Sequence, residues 1–64
     1  MNLFTGEIVG LYVESNCAMA NVRVGKAILK VPVSLVKGAR VGDWVLVESG
    51  IAIARVTIDQ SKEG

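Results

Sequence analysis

Residues able to do chemistry are scarce in this chain. A single cysteine, Cys17, stands in a sequence with no histidine. A Ser, Thr or Cys nucleophile needs a base within hydrogen-bond reach, and no imidazole exists to supply one. The six acidic residues could act as proton donors or acceptors, but no two fall in a motif that would pair them. No glycine-rich phosphate loop leads into a helix. One thiol can build neither a four-ligand zinc site nor an intrachain disulfide. The sequence therefore predicts no catalytic residue, no metal site and no cofactor. It describes a binding protein rather than an enzyme. Cys17 itself, at the start of an apolar strand, is read as a small packing residue. Phe4 and Trp44 are read the same way, as core aromatics.

Composition narrows the partner. At 64 residues the chain has room for one domain spanning 1–64, and a domain of that size buries only about 60% of its unfolded surface. With no disulfide or zinc to staple it, stability must come from apolar packing or from association. The 52% hydrophobic content allows both, so a homo-oligomer is one outcome. A formal charge of +1, with basic residues scattered among acids, points to neither nucleic acid nor membrane. Three aromatics are too few for a base-stacking platform. No run approaches the ~18 apolar residues of a membrane span. Met1-Asn2-Leu3-Phe4 lacks a basic leader region, so the expected location is the cytoplasm.

The elements that would position a binding surface are strands. β-Branched residues dominate, and glycine-bearing turns recur every eight to twelve residues or so. Five strands are predicted: about Phe4–Val13, Cys17–Val24, Ala27–Val31, Trp44–Val47 and Ile51–Ile58. Glu14-Ser15-Asn16 forms the first turn. Gly25-Lys26 sits at two-residue hairpin spacing, with glycine first as a type II′ turn prefers. Pro32 ends the third strand, and Pro32–Val36 is read as one helical or 3₁₀ turn. Ser49-Gly50 turns the fourth strand into the fifth, and the tail from Asp59 is polar. Lys26 and Lys30 are read as a solvated face or guarded edge. Five short strands cannot cover both faces of an open sheet, so an all-β, five-stranded OB-like barrel with little or no helix is expected. Gly6 and Gly10 would permit its bend. Ala20, Val22, Leu29, Leu46 and Ile53 are expected inside a closed or nearly closed barrel.

One stretch carries a family resemblance. Ala39-Arg40-Val41-Gly42-Asp43-Trp44-Val45-Leu46-Val47, followed by Gly50-Ile51-Ala52-Ile53, resembles the HypC/HupF/HybG family of hydrogenase maturation chaperones. The likeness runs back without a gap through Leu35-Val36 and Val31 to Gly25, and more loosely to Leu3, Gly6 and Ile8-Val9. It implies an OB-like barrel that carries the iron fragment of the [NiFe] active site. Such a protein hands the fragment to the immature large subunit, working with a HypD-type scaffold. In the family a cysteine immediately after the initiator methionine and a histidine just after the Val-Leu-Val strand matter for that role. Here Asn2 and Glu48 stand at those places. The family's Pro-Gly step is Thr5-Gly6, with one residue fewer before it, and the polar end after Thr57-Ile58-Asp59-Gln60 does not read as the family's C-terminal helix.

Iron favours thiolate or imidazole donors, and an amide with a carboxylate is a poor substitute. The resemblance thus implies a HypC-like accessory or chaperone protein without the metal-ligand pair. Its protein partner would be a hydrogenase large subunit or a maturation factor such as the HypD-like scaffold. The contact residues implied are Asn2, Leu3, Phe4, Glu48 and Ser49, because the family's two key residues must meet. Two alternatives stand beside it. One is an oligomeric oxyanion-binding module resembling molbindin, with Ser49, Ser34 or Lys37 at the anion. The other is a structural subunit of a homo-oligomer.

Overall fold

The computed structural model describes residues 3–57 and is all-β. Five antiparallel strands, β1 (Leu3–Glu14), β2 (Cys17–Val24), β3 (Ala27–Pro32), β4 (Trp44–Glu48) and β5 (Ile51–Val56), lie in the order β3-β2-β1-β4-β5. Among the described residues there is no helix. The sheet curls into an OB-like barrel that stays open between β3 and β5, where no ladder forms. Pro32–Val36 is not helical. Pro32 closes β3, and the chain then turns with the Val36 N–H donating to the Val33 carbonyl at 3.0 Å.

β1 is the strand on which the barrel is built. Its first half pairs with β4, from Leu3↔Glu48 to Glu7↔Trp44, and its second half pairs with β2, from Glu7↔Arg23 to Glu14↔Cys17. A bulge between Ile8 and Gly10 makes the change of partner possible, since an extra residue bends and twists a strand locally. At that point Ile8 donates to the Asp43 carbonyl and accepts from Gly42, both at 2.8 Å, so the loop before β4 is stitched to the bend. Gly6 lies where β1 and β2 press close together. A Cβ there would run into the Val22 Cγ1 and come within 2.9 Å of the Arg23 carbonyl oxygen.

The hairpins follow from their turn residues. Between β2 and β3 the positive φ is confined to Gly25, as a type II′ turn requires, while Ser15, Asn16 and Ser49 take positive φ in the other two. The core is Ile8, Ala20, Val22, Val31, Val33, Val36, Val45, Val47 and Ala52, with Phe4, Val24 and Ala39 packed against it. Three expected core residues are therefore misplaced. Val45 and Val47 point inward, which turns Leu46 to the outer face, half-buried. Ile53 is the unpaired residue of a second bulge, between Ala52 and Ala54, and is exposed. Leu29 pairs with the buried Val22 but lies on β3 at the open seam, and it too is exposed. Trp44 is likewise on the outer face, paired with Glu7 and Val56, and not in the core.

The Gly6 packing yields a prediction. Gly6→Val should destabilise the fold by about 1–3 kcal/mol through overpacking, lowering the melting temperature by roughly 4–8 °C for each kcal/mol in a domain of this size. Thermal denaturation followed by circular dichroism measures it, and an unchanged midpoint would show that the β1–β2 approach is looser than described.

Candidate functional site

The N-terminal strand and the β4–β5 turn meet at one end of the barrel. Leu3 is the cross-strand partner of Glu48, and Glu48 is in turn the partner of Ile51. In a sheet such direct partners share a face, so the three form a row, Leu3–Glu48–Ile51, on the outside. Leu3 is 52% exposed, Ile51 is exposed, and Glu48 between them is half-buried. The row continues down the outer face through Leu46 and Ala54 to Trp44 and Val56. Beyond it Glu7 holds Arg23 at 2.7 Å, a cross-strand pair exposed enough to contribute at most about 1 kcal/mol. Ser49 is exposed at the turn. Phe4 pairs with Val47 and turns inward against the core, so of the apolar N-terminal pair it is Leu3 that faces out. Asn2 lies outside the described residues.

Cys17 is far from this end. It pairs with Glu14 at the opposite limit of β1, and twelve residues of strand at roughly 3.3 Å each put about 35 Å of chain contour between Leu3 and Glu14. Its sulfur lies 3.6 Å from the Ser34 hydroxyl, and the residue is half-buried at the rim of a hairpin rather than sealed in the core. A thiolate there cannot join Glu48 at a shared ion. Among the described residues no three of Cys, Asp and Glu cluster as a metal cage would require. Ser34 and Lys37 sit on the loop after β3, while Ser49 is in the β4–β5 turn. The three oxyanion candidates are therefore not brought together within one chain.

The sequence reading missed the device that holds the loop before β4. The Arg40 N–H donates to the Asp43 carboxylate at 2.9 Å, and the Asp43 N–H returns to the Arg40 carbonyl at 3.0 Å. Arg55, from β5, donates to the Gly38 carbonyl at 3.1 Å and reaches the same carboxylate at 3.4 Å. Gly42-Asp43 ahead of the strand signalled a turn, but nothing local announced Arg55, twelve residues later.

The HupF/HypC family model matches residues 5–63. The chain belongs to the HupF/HypC family. This is a family of hydrogenase maturation chaperones, and the match begins two residues into β1 and takes in the other four strands whole. No curated protein matches the chain, and no solved structure does. Among the described residues no helix is long and apolar enough to cross a membrane.

The position of Cys17 is directly testable. Its thiol should react with a maleimide in the native protein without denaturant, and Cys17→Ala should change stability by less than about 0.5 kcal/mol, as for a surface substitution. Protection of the thiol until unfolding would place it in the core after all.

Proposed function

We propose that this HupF/HypC-family chain is a non-catalytic accessory protein of [NiFe]-hydrogenase maturation, acting in the cytoplasm. It binds a partner protein, the immature large subunit or the HypD-like scaffold, and does not itself carry iron. The contact is made by the end of the barrel where Leu3 meets Glu48 and Ser49, with Asn2 preceding Leu3 in the sequence and Phe4 backing the surface from the core side. The observation that carries this reading is the pairing of Leu3 with Glu48. It brings the place where the family keeps its histidine next to the strand that the family's cysteine precedes.

The surface suits a protein better than an ion. Leu3 and Ile51 flank Glu48 with exposed apolar area, and Leu46, Ala54 and Trp44 extend it. A single carboxylate binds a divalent cation weakly and without selectivity, and an amide oxygen adds little. The same carboxylate amid aliphatic side chains is a good partner for an arginine or lysine arriving within an apolar patch.

Two measurements bear on this. Co-purification with a co-produced hydrogenase large subunit, and separately with a HypD-type protein, should recover complex with the unaltered chain. Recovery should fall roughly tenfold, about 1.4 kcal/mol, with Leu3→Asp combined with Glu48→Lys. Both side chains face outward, so circular dichroism should show the variant folded, and equal recovery of a folded variant would refute the proposed surface. Elemental analysis with infrared spectroscopy, on protein made anaerobically beside a maturation system, should find no bound iron. Near-stoichiometric iron with cyanide and carbonyl bands would restore the carrier role, and their loss in Cys17→Ala would assign the donor.

A further inference from the structure

The opposite end of the barrel has a feature the chaperone reading does not use. Beyond Ala20 the β1–β2 hairpin projects past the core, and its inner face is only partly covered, by the loop after β3. Val13 is 73% exposed and Leu11 43%, although by register both lie on the same face as the buried Ala20. Under this overhang runs a groove of about 400 Å³, walled by Leu11, Val13 and Ala18 from the hairpin and by Val33, Val36 and Ala39 from the loop after β3. The loop also holds out Leu35 at 66% and Val41 at 60% exposure. This end thus presents both a projecting valine and an apolar groove that could receive one.

Charge decides what fits. At the hairpin tip, next to Val13, stands the exposed Glu14, and the loop side carries the exposed Lys37 and Arg40. Opposite charges at the two margins of this end make it complementary to itself under a two-fold rotation. The rotation lays the tip of one copy on the loop of the other. We propose that a second copy of this chain docks here, each hairpin placing Val13 in the groove of its partner and Glu14 against Lys37 and Arg40. The dimer covers the exposed apolar residues of this end, and it compensates for a small core that no disulfide assists. It leaves the Leu3–Glu48 end free, so it stands or falls independently of the chaperone reading.

Sedimentation equilibrium of the full chain over a range of concentrations tests it. A monomer–dimer equilibrium is expected, with association weakened roughly tenfold or more by Val13→Asp. Because Val13 is so exposed, that variant should keep its circular dichroism spectrum and melt as a folded monomer. Glu14→Lys should weaken self-association, and mixing it with a Lys37→Glu, Arg40→Glu chain should restore a dimer made of one copy of each. A monomer at every concentration up to the millimolar range, or a dimer indifferent to Val13→Asp, would overturn the proposal. So would a charge-swapped mixture that fails to associate while each variant remains folded.

Discussion

The structure depends on β1 holding two partners at once. A strand has two edges, and in a flat sheet its neighbours run alongside it over the same residues. Here β4 takes the first half of β1 and β2 the second, with Glu7 the residue shared by both ladders. That stagger is possible only if β1 bends, and the bulge after Ile8 is where it bends. The loop hydrogen bonds from Gly42 and to Asp43 fasten Ile8 on the side that β4 has left. Gly6 lets β2 cross close over the strand just before the bend. Without these features the sheet would not curl, and the core among the described residues would have no interior to occupy.

The same stagger produces two ends of different character. Where β1 pairs only with β4, its outer face joins the β4–β5 hairpin in an apolar row interrupted by Glu48. Where it pairs only with β2, the hairpin runs out past the core and leaves its inner face only partly covered. Both surfaces follow from strand offsets and would exist in any barrel with this register. What fills them with particular chemistry is the choice of Glu48 at one end and of Val13, Glu14 and Lys37 at the other.

How far the sequence alone reveals this depends on how much polar contrast each strand carries. In β2, Asn21 and Arg23 alternate with Ala20 and Val22, so period and phase are both readable, and the strand bounds come out as expected. In β4 the residues Trp44-Val45-Leu46-Val47 are all apolar. The period is clear but the phase is not, and nothing local says that the valines rather than Leu46 point inward. β5 adds a bulge at Ile53, which changes which residues face in partway along. The open seam is invisible for another reason: Leu29 has the correct inward register but no strand across from it. Glu48 could be singled out only through the family resemblance, because a glutamate before a turn is by itself ordinary.

The positions that hold the fold and the positions that would hold a metal are different residues. Gly6, Ile8, Asp43, Val45 and Val47 shape the barrel, and each is either buried or tied by backbone hydrogen bonds. Glu48 faces outward at the edge of a turn, and Asn2 precedes the first strand. Glu48 does not belong to the core, so exchanging an imidazole for a carboxylate there asks little of the packing. A surface substitution of this kind typically changes stability by no more than about 0.5 kcal/mol, whereas a lost thiolate removes most of a site's preference for iron. Selection on the scaffold therefore cannot preserve the donors. Only a requirement for the ion can do so, so the residues at positions 2 and 48 can differ from the family's donors while the chain keeps the family's barrel.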